Sequence, residues 1–256
     1  MKIVVSKDAK ALGCNAADYI AGLINEAIAK KGEARIILST GASQLTTIEP
    51  LIERDIDWSK VTMFHLDEYV DLPETHIASF RKYLKERFIQ KINLKAAHLV
   101  DGTPEGIAAL TAELRQAPID VGLIGIGENA HIAFNDPPAD FDTKEAYIVV
   151  NLNDTCKMQQ VGEGWFATID DVPKQAVSMT VHQILQCEQI VSCVPYAVKA
   201  NAVRDTLEND KTNLIPATIM KGHPNFALFV DEDSFSKVDE SKIRPDEGVA
   251  YTVERA

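Results

Sequence analysis

Ala34-Arg35-Ile36-Ile37-Leu38-Ser39-Thr40-Gly41-Ala42-Ser43-Gln44 runs from an apolar stretch, through small polar residues, into a segment with helical spacing. Residues 34–39 are apolar at nearly every position, as a strand covered on both faces requires, and residues 44–54 carry apolar side chains at helical intervals. The same alternation recurs outward along the chain. Strand-like segments fall at 2–5, 61–66, 121–126, 147–152, 176–180, 189–194 and 225–230. Helical patterns fall at 8–31, where Gly32 is a natural stop, at 79–90, at 104–115, and from about residue 196. Strands alternating with helices predict an α/β fold, a single domain over 1–256. Its sheet should be mostly parallel and doubly wound (Rossmann-like), with helices on both faces. Ligands of such sheets bind beyond the carboxyl ends of the strands, so residues directly after each strand are the first candidates for chemistry.

The bulk composition narrows the function. The 256 residues are 46% hydrophobic and 25% charged, ordinary for a globular protein, without repeats or low-complexity tracts. A net charge of −12 argues against nucleic acid and against anionic membrane surfaces as partners, because both need basic patches. An anionic substrate would then need a local positive field from helix N-termini and a few basic side chains. The start, Met1-Lys2-Ile3-Val4-Val5-Ser6, reads as a first strand, and no apolar run reaches bilayer-spanning length. Both features predict a cytoplasmic protein. Cys14, Cys156, Cys187 and Cys193 are scattered, without a C-x-x-C pair, and read as reduced, mostly buried thiols. Residues 232–256 form a charge-rich tail that either docks on the domain, meets another subunit or stays mobile.

Three strand ends carry polar chemistry. After 34–39, the hydroxyls of Ser39, Thr40 and Ser43, the turn at Gly41 and the first N–H groups of the next helix could cradle a phosphate. The same residues also read as an ordinary βα turn with a serine cap. After 61–66 come Asp67 and Glu68, adjacent carboxylates that point to opposite sides of the chain. One of them, in a partly dry cleft, is a candidate general base; a helix cap or surface pair is the other reading. After 121–126 comes Gly125-Ile126-Gly127-Glu128-Asn129-Ala130-His131-Ile132-Ala133-Phe134-Asn135-Asp136-Pro137-Pro138. Its opening matches a dinucleotide fingerprint, but two prolines within about ten residues forbid the long helix that fingerprint needs. His131, flanked by Asn129, Asn135 and Asp136, is a candidate for proton transfer. Lys199, in the first helical turn after 189–194, opposes the helix dipole and hints at an anionic ligand.

Taken together, Ser39-Thr40-Gly41, Leu66-Asp67-Glu68-Tyr69-Val70 with Leu72-Pro73 and His76, and the block from Gly125 to Pro137 resemble the glucosamine-6-phosphate deaminase (isomerase) family. Its superfamily includes 6-phosphogluconolactonase, and the similarity runs in order from about Lys2 to Val230. The resemblance implies that Asp67 moves a proton between C2 and C1 of an opened sugar and that His131 assists ring opening. It places Asp136 where the family has a glutamate partnering the histidine. It also implies that Thr40, Gly41 and Ser43 form a phosphate loop and that Lys199 binds phosphate. The partner is then a small phosphorylated sugar, no metal or organic cofactor is called for, and a homo-oligomer is open by analogy.

The chain departs from that family at Asn129 and Ala130, where the deaminases read Asp-Gly before the histidine. Loss of the carboxylate predicts a more readily neutral His131. Glu128 could supply a replacement charge. No arginine lies between 151 and 174, where the deaminases place one on the phosphate; Gly162-Glu163-Gly164-Trp165 occupies the region, and Trp165 either stacks on a sugar face or packs inside. Three functions follow in order. The first is isomerisation with deamination of an aminohexose 6-phosphate, the second a lactonase with His131 activating water, and the third a phosphosugar sensor without turnover.

Overall fold

The computed structural model describes residues 1–162 and 164–256, so Glu163 lies outside the described residues, as do the side chains of Pro104, Thr155 and Gln159. The first half comprises β1 (Lys2–Ser6), α1 (Ala9–Lys31), β2 (Ala34–Leu38), α2 (Ala42–Ile52), β3 (Val61–His65), β4 (Asp67–Tyr69), α3 (Phe80–Arg87), β5 (Ala96–His98), α4 (Pro104–Leu114) and β6 (Val121–Leu123). The second half holds β7 (Tyr147–Asn151), α5 (Asp154–Gly162), β8 (Gln175–Met179), α6 (Val181–Ile184), β9 (Gln189–Val194), α7 (Ala200–Glu208), β10 (Phe226–Asp231), α8 (Glu232–Phe235) and β11 (Thr252–Arg255).

Eight strands form one parallel sheet in the order β11-β1-β10-β9-β6-β2-β3-β5. Successive strand residues feed opposite cores, as the two-residue period of a strand demands. Ile36 and Met63 pack with Leu12, Ile20 and Ile24 of α1 and Ile48 and Leu51 of α2. Ile37 and Phe64 pack on the other face with Leu110 and Leu114 of α4 and Val203 and Leu207 of α7. Each such fully buried aliphatic contributes about 1.5–3 kcal/mol, which is why both faces must be covered. The α/β, doubly wound arrangement read from the alternation is the one observed.

Helix α1 shows how local signals set its bounds. The Asp8 side chain accepts a hydrogen bond from Ala11 N at 2.8 Å, and Gly32, at φ +81°, ends the helix by donating its N–H to Ile28 O. In its first half Gly13 lies directly against the Thr46 carbonyl of α2, where a Cβ would overlap backbone. Gly13→Ala is therefore expected to cost about 3 kcal/mol by overpacking, lowering Tm by roughly 6–12 °C in a thermal melt.

The strands at 147–152 and 176–180 do not join the main sheet. β7 and β8 pair antiparallel with each other and with β4, forming a separate three-stranded sheet. An apolar run of strand length carries no information about its partner's direction, so the sequence could not place them. Two further strands were not read. β5 is three residues long, and β11 (Thr252-Val253-Glu254-Arg255) lacks an apolar pattern. β11 pairs parallel with β1, and the Met1 ammonium donates to Ala250 O at 2.7 Å. The buried ammonium of Lys221 donates to Arg244 O at 2.6 Å, and Ile243 is buried, so the charge-rich 232–256 segment docks on the sheet. Among the described residues no helix is long and apolar enough to cross a membrane.

Candidate active site

Four neighbouring strands, β9, β6, β2 and β3, end side by side at the carboxyl edge of the sheet. Between β2 and β6 the winding reverses, the place where open α/β sheets leave a crevice. A cavity of about 260 Å³ opens there. Ser39, Thr40, Gly41 and Ser43 line it from the end of β2, and Asp67 from beyond β3. Gly127 and His131 enter after β6, and Lys199 after β9. All the sequence-predicted site residues except Asn129 and Asp136 face this one cavity, and those two touch His131.

The adjacent carboxylates part company as strand geometry requires. Past His65 the chain does not stop but crosses into the small sheet, with Asp67 opposite Ser178 and Glu68 opposite Val177. Glu68 is fully buried against the start of α3. It accepts from Tyr69 N, Phe80 N, Arg81 N, Ser79 Oγ and Arg81 Nε at 2.8–3.3 Å. It is a structural anion, held by helix N-terminal amides. Asp67 faces the cavity, 6% exposed, and among the described residues its Oδ1 has no hydrogen-bond partner. Burial, reinforced by the Glu68 charge next door, pushes its carboxyl up to about 8. Such a group can take a proton from carbon near neutral pH and return it.

His131 is held from below and behind. Its ring lies on Gly127, where a Cβ would overlap the imidazole. Behind it, Asn129 Nδ2 donates to Asp136 Oδ1 at 3.1 Å, while Asn129 Oδ1 accepts from His131 N at 3.2 Å and stands 2.5 Å from His131 Nδ1. A carboxylate only accepts, so the amide nitrogen must face Asp136, the amide oxygen must face the ring, and Nδ1 carries the proton. In the neutral ring the lone pair is then on Nε2, the state of a base. Asp136 Oδ1 also stands 3.4 Å from Nδ1, so the nearby charge comes from Asp136. Glu128 is an exposed lining residue. Asn135 holds the loop, donating to Ile132 O and Met179 O at 2.8 and 2.9 Å. Asn129→Leu, close in shape but unable to accept, is expected to lower kcat by roughly 10–100-fold with little change in KM, measured in steady state.

The opposite wall can hold an anion. Gly41, at φ +110°, turns the chain into α2 so that Ala42, Ser43 and Gln44, the first residues of that helix, line the cavity. Tyr83, not singled out in the sequence, donates its hydroxyl to Gly41 O at 3.0 Å and pins the turn. Gln44, also unread, is buried and donates to Cys193 O and Ser43 Oγ at 3.2 and 3.3 Å, tying the loop to β9. Ser39 Oγ is buried without a partner among the described residues. Lys199 is buried at the N-cap of α7, one residue before the helix proper. Among the described residues lining the cavity there is no arginine, and Cys156, Gln160 and Trp165 fill the α5 side. Gly125 and Gly127 do not open a helix, which removes the dinucleotide reading. His76, half-buried, stacks on the ring of Phe166.

A buried carboxylate, an oriented imidazole, and a helix start with a lysine beside it around one crevice are a layout that suits an α/β enzyme acting on a small anionic substrate. Comparison with known proteins gives the family. The model of the glucosamine-6-phosphate isomerases/6-phosphogluconolactonase family matches residues 7–228, and the chain belongs to that family. A glucosamine-6-phosphate deaminase of Lactobacillus delbrueckii subsp. bulgaricus is 32% identical over 240 residues, covering 92% of this chain and 99% of the relative. One from Streptococcus uberis is 32% identical over 221 residues, covering 85% and 92%. Among solved structures, a monomeric glucosamine-6-phosphate deaminase superposes with a TM-score of 0.84 at 28% identity, over 93% of this chain and all of that one. A 6-phosphogluconolactonase from Shewanella baltica shares the fold, with a TM-score of 0.74 at 21% identity over 90% and 98% of the two chains.

Proposed function

We propose that the enzyme converts an aminohexose 6-phosphate, glucosamine 6-phosphate or an epimer, to the ketohexose 6-phosphate and ammonia. The observation that carries this reading is Asp67, a cavity carboxylate with a pKa of about 8 and an oxygen without a partner among the described residues. In this reading His131 Nε2 takes the O1 proton and returns it to the ring oxygen, opening the sugar. Asp67 then removes the C2 proton and delivers it to C1, while O1 gains a proton and the C2 amine gives one up, so that the C1 carbonyl becomes an alcohol and the unsaturation moves to C2 as an imine. Water adds to that imine and ammonia leaves, so one water is consumed for each ammonia released. Ser39, Thr40, Gly41, Ser43 and Lys199 hold the phosphate, and Asn129 and Asp136 set the histidine tautomer. The compartment that fits is the cytoplasm, where the free thiols stay reduced.

The test is a panel of hexosamine 6-phosphates and 6-phosphogluconolactone assayed for ammonia, ketose phosphate and acid. Ammonia and ketohexose 6-phosphate in equal amounts are expected from one hexosamine phosphate. Acid release from the lactone with no ammonia from any amine would replace this reading by the lactonase.

A further inference from the structure

The mouth of the cavity is unlike its floor. Ile77, Tyr196 and Val198 all line it, yet they are 62%, 41% and 55% exposed, an apolar rim left in water. Such side chains in a cleft mark a surface that a ligand covers.

Tyr196 stands out within that rim by its backbone. It sits at φ +80°, ψ +144°, a region that only glycine enters without strain. What holds it there is Asp231, 2% exposed at the end of β10. The Asp231 carboxylate accepts the Tyr196 N–H through both oxygens, at 2.9 and 3.2 Å, and also accepts Ser234 N at 2.8 Å. The same turn leads on to the phosphate side, because Lys199 N donates to Tyr196 O at 2.9 Å. A residue kept strained by a buried carboxylate that also caps α8, with its large ring left half in water, is held for what the ring touches.

We propose that Tyr196 determines specificity, its ring forming the wall against the carbon face of a bound hexose phosphate, and that Asp231 is the positioning residue that holds it. A hexose carries hydroxyls at its edge and C–H groups on its face, and the amphipathic ring of tyrosine suits that face while its hydroxyl stays wet. Inorganic phosphate lacks the sugar carbons that the ring would meet, so it serves as the control ligand. The proposal rests on the phosphosugar reading of the cavity.

The experiment compares the full-length protein with Tyr196→Phe, Tyr196→Ala and Tyr196→Gly, titrating each with glucosamine 6-phosphate and with inorganic phosphate, and melting each without ligand. Alanine and glycine variants are expected to bind the sugar phosphate about tenfold more weakly and inorganic phosphate unchanged, with Phe close to wild type. Both lack the ring, so their difference in Tm isolates the backbone. Glycine is expected to melt about 2–4 °C above alanine, reversing the usual order, because it adopts the positive φ freely. Asp231→Asn, which keeps an acceptor for Ser234 N but loses the paired oxygens, is expected to weaken sugar phosphate binding several-fold and to spare inorganic phosphate. Unchanged sugar phosphate affinity in the alanine and glycine variants would overturn the proposal alone, as would an alanine variant at least as stable as glycine. A wild-type protein that binds phosphate but no hexosamine phosphate would overturn the phosphosugar reading, and the proposal with it.

Discussion

Asp67→Asn is expected to lower ammonia release from glucosamine 6-phosphate by about 10³-fold while making the protein more stable. The loss is what removing a positioned general base costs. The gain follows from the same burial that makes the base useful. Asp67 titrates at about 8 in the folded protein, against 3.8 for the ordinary side chain, so folding favours the protonated form. A folded pKa raised above the unfolded one contributes stability that is complete below about pH 4 and lost as pH rises through about 8. Asparagine never ionises. The Tm of the variant should therefore rise above wild type as pH is raised from about 4 to 8, and match it most closely at the acid end. Wild-type turnover should climb over the upper part of the same range, because only ionised Asp67 accepts a proton. Turnover in the variant within tenfold of wild type would remove Asp67 from the chemistry.

Gly127→Ala is expected to lower turnover about as much as His131→Ala does, on the order of 10²–10⁴-fold, although the glycine carries no functional group. The imidazole rests on the Gly127 backbone, and a methyl group there occupies the ring's position. Gly127 borders the cavity, so the ring has open space to swing into and the fold should survive. The decisive measurement is the double variant. Alanine at 131 leaves room for the methyl, so Gly127→Ala/His131→Ala should turn over like His131→Ala alone. A further drop in the double variant would show that Gly127 acts other than through the ring.

Much of this site was readable from residue order because of one property of parallel sheets: every strand ends at the same edge. Ser39, Asp67, the Gly125–His131 segment and Lys199 each follow an apolar run, and the topology then delivers them to one crevice. Where the chain carried less pattern, the reading thinned. Gln44 and Tyr83 give no signal, since a glutamine or a tyrosine in a helix is ordinary until a third element stands opposite. The strands at 147–152 and 176–180 looked like main-sheet strands because burial on both faces and pairing in a small antiparallel sheet leave similar runs. Asn129 looked like a loss when compared residue for residue with a carboxylate. Only its bonds to Asp136 and to the ring show an amide whose orientation is forced.

The sequence by itself determined the α/β alternation, the strand ends that bear polar residues, and the acidic field an anion must overcome. Those depend on local propensity, periodicity and charge, which each residue carries wherever it sits. Tertiary structure alone decided which of two adjacent carboxylates faces the cavity and which is an anchor. Glu68 meets the amides of α3 and stays satisfied, whereas Asp67 faces the cavity and keeps an oxygen without a partner among the described residues. It also decided that Tyr196 is held in a strained turn, because the clamp, Asp231, comes from a strand 35 residues away. Burial and hydrogen-bond partners are properties of the assembled neighbourhood, and the pKa of a group follows them rather than its place in the chain.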